Sequence, residues 1–381
     1  MNILIAPDSF KDCMGALEVA EAISRGIVKV NSQARIRLLP MADGGEGTVQ
    51  SVMDATGGQI EKVSVRDPLM REIPSFYGQA GDGSTAVIEM AAASGLELLG
   101  QGERNPWLSS TYGTGELIAH ALDKGCRKIL LGIGGSATND CGMGMARAMG
   151  VEFLDGEGKP VSHGGGALKD VKQIRMEGLD PRIGEVEIQV ACDVSNPLTG
   201  PQGASYIYGP QKGADQSMVE RLDKNLVYFA KLIADQVGKE IDRIPGAGAA
   251  GGLGGGLMAF LGARLVKGFD MVAEISKLEE AILRADLVIT GEGKLDSQTR
   301  FGKTPYGVAQ LAQKHRKPVI GVAGTVEPDA GELYSEGFNL IMPILEQPSD
   351  LAGAIRNAPS LLENTGERIA RLLDIRCILS K

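Results

Sequence analysis

One local order recurs along this chain and limits the folds open to it. A short apolar run rich in β-branched residues leads into a turn of glycine and charge, and an amphipathic helix follows. It is clearest over residues 286–309, DLVITGEGKLDSQTRFGKTPYGVA. Leu287-Val288-Ile289 is too short for a helix and reads as a buried parallel strand. Thr290 to Asp296 then reads as a loop at that strand's carboxyl end, where open α/β sheets bind ligands. Pro305 fits the first turn of the next helix, because its missing N–H would be unpaired there anyway.

The same order appears three more times. Residues 2–6 form a strand pattern ending at Pro7-Asp8-Ser9-Phe10-Lys11, and Leu17, Ala20, Ile23, Ile27 and Val30 follow at helical spacing. Residues 36–39 lead into Asp43-Gly44-Gly45-Glu46-Gly47 and a helix that stops at Gly57-Gly58. Residues 128–131 lead into Gly132-Ile133-Gly134-Gly135-Ser136-Ala137-Thr138-Asn139-Asp140 and another helix. Between residues 60 and 88 the rhythm changes to short runs separated by turns, which predicts antiparallel strands. The expected fold class is α/β: a Rossmann-like parallel-sheet domain built from both chain ends (1–60 and 269–381), with a second, mixed α/β domain (61–268) inserted. Residues 108–149 fit either domain.

Composition removes several function classes. With 39 Lys and Arg against 48 Asp and Glu, the net charge of -9 argues against a nucleic-acid surface. The five cysteines, Cys13, Cys126, Cys141, Cys192 and Cys377, are scattered and read as reduced thiols. Three histidines provide no zinc set at ligand spacing. Without a basic leader or an apolar run near the ~20 residues a bilayer needs, the expectation is a soluble, cytoplasmic protein with no membrane partner.

Motifs narrow the chemistry further. Gly246-x-Gly248-x-x-Gly251 has the letters of the dinucleotide fingerprint, but Pro245 abuts it and no buried strand leads in. Gly132-x-Gly134-x-x-Ala137 does follow a strand and is the better phosphate loop. Gly302-Lys303-Thr304 has the tail of a Walker A sequence without its first glycine, and no G-x-S-x-G elbow is present. Carboxylates, lysines and glycine loops remain, which is the inventory of phosphoryl transfer. Taken singly, each residue has a plainer reading. Asp8 and Asp43 would cap the helices after them, Asp193 would shape a turn before Pro197, and Lys11 would make a surface pair.

The segments APDSFK (6–11), ADGGEGT (42–48), IEMAAASGLEL (88–98), GIGGSATND (132–140), ACDVSNPLTG (191–200), GPQKGA (209–214), PGAGAAGGLG (245–254) and TGEGKLDSQT (290–299) appear in one order. In these the chain resembles the bacterial glycerate kinase family along almost its full length. The resemblance implies ATP-dependent phosphorylation of D-glycerate, most simply at the 2-hydroxyl, with Mg²⁺, in a cleft between two domains. It implies substrate contacts from Asp8, Ser9, Lys11, Lys212 and Lys294, and chemistry from Lys11, Asp43, Asp193 and Asp296. Nucleotide would sit at Gly134, Gly135, Ser136, Thr138 and Asn139, and metal at Asp193 and Glu292. The individual roles of the carboxylates, and whether the chain forms a homo-oligomer, stay open. The competing classes are a nicotinamide-dependent hydroxy-acid dehydrogenase and a non-catalytic sugar-acid binder.

Overall fold

The computed structural model describes residues 1–300 and 302–379, with side chains as far as Ile375. Phe301 and Cys377 lie outside the described residues and side chains. The strands in chain order are β1 (Asn2–Ile5), β2 (Arg35–Leu38), β3 (Gln59–Arg66), β4 (Glu72–Gln79), β5 (Thr85–Glu89), β6 (Lys128–Gly132) and β7 (Glu152–Leu154). Then come β8 (Gln173–Arg175), β9 (Glu187–Ala191), β10 (Arg264–Val266), β11 (Leu287–Leu295), β12 (Val319–Val326) and β13 (Leu340–Pro343).

The chain divides into two compact units. The first comprises Met1–Asp43, Gln50–Gly57 and Phe269–Lys381. Its sheet runs β13-β12-β11-β1-β2, and its strand pairs are parallel. That arrangement needs apolar residues on both faces. Ile3, Ile5, Leu287, Ile289, Ile320 and Val322 supply one face, packing with Val19, Ile23 and Ile27 of helix Ala16–Val30 and Leu362 and Ile369 of helix Leu351–Leu379, while Leu4, Val288 and Val319, of opposite parity, are buried on the other. Each such side chain stabilises the fold by roughly 1.5–3 kcal/mol on burial. The two helices cross at glycines: a Cβ on Gly26 would lie 1.9 Å from the Glu363 carbonyl oxygen, and one on Gly366 would lie 2.1 Å from that of Ile23. Arg25 and Lys29 both reach Glu363 across the crossing, at 3.1 and 2.6 Å.

The second unit comprises Gly44–Val49 and Gly58–Gly268. Its sheet runs β10-β9-β6-β5-β4-β3. The β3–β4 and β4–β5 pairs are antiparallel, while β5–β6, β6–β9 and β9–β10 are parallel. Residues 108–149, which the sequence left between two domains, lie in this unit with β6 at the centre of its sheet. Helix Gln216–Val237 is capped by Asp215, whose side chain accepts the Met218 N–H at 2.8 Å.

One local expectation is overturned. Thr290 to Asp296 reads as a loop, yet β11 runs unbroken to Leu295 and pairs with β12 through Glu292↔Ala323, Lys294↔Thr325 and Leu295↔Val326. Gly-Glu-Gly-Lys is also a period-two pattern, so the charges alternate with glycines along a strand. The glycines are demanded by close packing. A Cβ on Gly291 would meet the Val322 carbonyl oxygen at 2.0 Å, and one on Gly324 would meet that of Gly293 at 2.6 Å.

Among the described residues no helix is long and apolar enough to cross a membrane. Cys13, Cys126, Cys141 and Cys192 are free thiols.

Candidate active site

In the first unit, the residues following β1 lie against the extended end of β11. The Asp8 N–H donates to the Gly291 carbonyl at 2.8 Å, and the Phe10–Lys11 backbone passes Gly293 at van der Waals distance. This sets Asp8 among polar groups drawn from distant parts of the chain. Its Oδ2 accepts the Thr304 hydroxyl at 2.6 Å, and its Oδ1 accepts the Ser9 N–H at 2.6 Å. Burial pushes the Asp8 carboxyl up to about 6. The nearby Asp43 charge adds to that rise, while the Thr304 and Ser9 hydrogen bonds oppose it.

Glu292 is the second half-buried acid of this group. Lys303 Nζ reaches its two carboxylate oxygens at 3.3 and 3.2 Å, and the Thr299 hydroxyl donates to Oε1 at 3.0 Å. Burial raises its pKa, Lys303 and Thr299 pull it back, and the Asp8 charge raises it again. The Asp43 charge thus acts on Asp8, and the Asp8 charge acts on Glu292. Lys11 is exposed beside them. Lys294 points elsewhere: it is about half exposed and pairs with Asp296 at 3.4 Å and Glu327 at 3.2 Å. Asp296 also accepts the Gln298 N–H at 3.0 Å, at the turn leading to Ser297–Arg300.

In the second unit the loop after β6 separates into an exposed part and a buried part. Gly134 and Gly135 are exposed, and Gly135 has a φ of +72°. Ser136, Thr138, Asn139 and Asp140 are buried. The Ser136 hydroxyl lies 3.1 Å from that of Thr138 and donates to the Ala250 carbonyl at 3.3 Å. Asn139 donates to Ser205 Oγ at 3.1 Å, and its Oδ1 is buried without a hydrogen-bond partner among the described residues. Asp140 is saturated by the Thr111 N–H and hydroxyl and by the Gly142 and Gly144 amides. Lys212 is 1% exposed, with Nζ 2.6 Å from the Thr138 carbonyl oxygen and 3.3 Å from Ser136 Oγ. Burial pushes its ammonium down to about 7, and Asp140 opposes that shift. Asp193 is exposed and accepts the Gly268 N–H at 3.2 Å.

Of the residues singled out in the sequence, Asp8, Ser9, Asp43 and Glu292 are brought together in the first unit, with Lys11 at their side. The residue pattern did not single out Thr299 and Thr304, both fully buried and both bonded to the acids. Their only sequence signal was position beside charge, Thr304 directly after Lys303. Asp140 was read as part of the loop and not as its buried anchor.

The dinucleotide-like glycines have another use. A Cβ on Gly248 would lie 2.1 Å from the Pro197 carbonyl oxygen, and one on Gly251 would lie 1.9 Å from that of Thr138. These glycines admit neighbouring backbone, not a ligand. The nicotinamide reading loses its motif.

The profile of the glycerate kinase family matches residues 3–374. The chain is 50% identical over 369 residues to the glycerate kinase of Halalkalibacterium halodurans, covering 97% of each chain. It is 46% identical over 375 residues to the glycerate 2-kinase of Escherichia coli K12, covering 98% of each. A crystal structure assigned as glycerate kinase 2 from Salmonella typhimurium LT2 superposes with a TM-score of 0.91 at 46% identity, covering 98% of both chains.

Proposed function

The chain belongs to the glycerate kinase family, and from that premise we propose that it transfers the γ-phosphoryl group of ATP to the 2-hydroxyl of D-glycerate. The observation that carries this reading is Asp8. It is a partly exposed carboxyl with a pKa pushed up to about 6, near Asp43 and a half-buried Glu292–Lys303 pair. A carboxyl raised toward neutrality accepts a proton from an alcohol better than an ordinary surface acid does. In this reading Asp8 or Asp43 orients the acceptor hydroxyl and takes its proton as the O–P bond forms. Lys11 and the Ser9 hydroxyl hold the glycerate carboxylate. Lys303 offers positive charge to phosphate, at the cost of loosening its hold on Glu292. The exposed Gly134–Gly135 backbone receives the nucleotide phosphates, since the hydroxyls of Ser136 and Thr138 are spent inside the loop.

Mg²⁺ fits these residues in one mode. Among the described residues no three His, Cys, Asp or Glu side chains converge as a metal cage. Mg²⁺ bound with ATP usually takes only one or two carboxylates, phosphate and water completing the shell. Asp8, whose proton affinity the Asp43 charge raises, and Asp43 itself would suit such a partial shell. When bound, the ion neutralises charge developing on the phosphates.

The test is a coupled ATP-turnover assay over a panel of small hydroxy acids, with ³¹P NMR of the product. Turnover with D-glycerate and a 2-phosphoglycerate resonance is the expected result. A 3-phosphoglycerate resonance would move the attacking oxygen, and turnover confined to another hydroxy acid would sink the assignment.

A further inference from the structure

Among the described residues, one lysine, Lys212, carries a charge that reaches neither water nor a carboxylate in contact. We propose that Lys212 is a positioning residue, whose ammonium fixes the buried half of the Gly134–Asn139 loop and thereby the shape of its exposed half. The proposal rests on the reading of that loop as the nucleotide site, and it replaces the substrate contact expected for Lys212.

Burying an ammonium is costly unless its donors are matched. Asp140 is the neighbouring acid, and its oxygens are taken by Thr111, Gly142 and Gly144. It compensates the charge from a distance, without a contact pair. Both hydrogen bonds of Lys212 go to the loop: Nζ to the Thr138 carbonyl at 2.6 Å and to Ser136 Oγ at 3.3 Å. Ser136 Oγ also accepts the Thr138 N–H at 3.1 Å, so one lysine and one hydroxyl lock three consecutive residues. Other segments hold the same stretch from outside. Leu96 N–H donates to the Gly135 carbonyl, Ala137 N–H donates to that of Ser94, and Gly251 leaves no room above Thr138. Only Gly134 and Gly135 remain exposed, and the Cβ of a substituted Gly134 would meet nothing nearer than the Gly45 Cα at 3.9 Å. Lys212 itself sits in a short turn whose exit residue, Gly213, has a φ of +93° and abuts the Arg104 carbonyl, so the lysine is rigidly mounted. Such a group acts on ligand binding through the loop it holds.

The experiment measures kcat and the KM values for ATP and glycerate in the full-length enzyme and in Lys212→Met, Ser136→Ala, the double variant and Gly134→Val. Lys212→Met and Ser136→Ala should each raise the ATP KM, the former by about tenfold or more, since a hydrogen bond to a charged group is lost. The double variant should fall well short of the product of the two effects, because both act through one contact. The glycerate KM should change little. A rise in glycerate KM with ATP KM unchanged would overturn the proposal in favour of a direct substrate contact. An unchanged ATP KM in folded Lys212→Met, with Gly134→Val raising it, would overturn it and leave the loop reading standing. Unchanged ATP KM in both would overturn proposal and loop reading together. If Lys212→Met does not fold, Ser136→Ala alone decides: an ATP KM equal to wild type overturns the proposal.

Discussion

The Thr304 hydroxyl donates to Asp8 Oδ2 at 2.6 Å, joining two residues 296 positions apart in the chain. It ties the end of the first strand segment to the first turn of helix Thr304–Lys314. It is also the strongest force holding the Asp8 pKa down against burial. Removing it with Thr304→Val should push the carboxyl higher still. If ionised Asp8 is the working form, wild-type kcat/KM should fall as pH drops through about 6, and this acid limb should move toward neutral pH in Thr304→Val. A pH–rate profile checks the direction, and an unmoved limb would assign the acid limb to another group.

The same shift has a stability consequence of fixed sign. Asp8 binds its proton more tightly folded, at about 6, than unfolded, near 3.8. A raised carboxyl pKa means that folding stability from this group is full below the unfolded value and declines as pH rises from 3.8 through 6. Asp8→Asn removes that decline. The variant should unfold at a higher temperature than wild type at pH 7, show less advantage at pH 4, and turn over poorly. Equal melting temperatures at pH 7 would mean that the carboxyl is better solvated than its surroundings indicate.

Asp43→Asn and Asp296→Asn test the two ends of the site separately. Asp43 belongs to the charge group around Asp8, whereas Asp296 is bonded to Lys294 and to its own turn. Asp43→Asn should lower kcat by roughly 10²-fold or more, the range for loss of an acid–base or metal-binding group. Asp296→Asn should cost turnover too, with a visible share from loosening of the Ser297–Arg300 turn. Steady-state kinetics with a parallel thermal melt separates the two. Near wild-type turnover in both would remove the loop carboxylates from the chemistry.

Gly366→Val probes the fold alone. Its Cβ would lie 2.1 Å from the Ile23 carbonyl oxygen, so the two long helices of the first unit must move apart. Overpacking of this kind costs about 1–3 kcal/mol, and a backbone clash lies at the upper end. Denaturant titration should show a lower midpoint. An unchanged midpoint would mean that the crossing is loose.

How much of this was legible in the amino-acid order depends on the range of the forces involved. Period-two and period-3.6 patterns act within a few residues, so strand and helix positions, the parallel sheet built from both chain ends and the Pro305 helix start could all be read locally. The motif set, read in order, pointed to the family. Gly291–Gly293 could not be resolved that way. Alternating glycine and charge suits a loop or a strand equally, and only pairing with β12, with Val322 close against Gly291, selects the strand.

Side-chain facing was likewise a tertiary decision. Ser136, Thr138 and Lys212 look like ligand contacts in the sequence, yet they bond to one another because segments 75 residues or so apart close over them. Thr304 gave no signal of its own, and its role exists only because strand β11 brings the residues after β1 and the start of its helix together. Burial and charge proximity set the proton affinities of Asp8, Glu292 and Lys212, and neither quantity is a property of a residue's neighbours in sequence. The chain's order determined which groups were available; packing by distant segments decided which of them were buried and bonded and which stayed exposed.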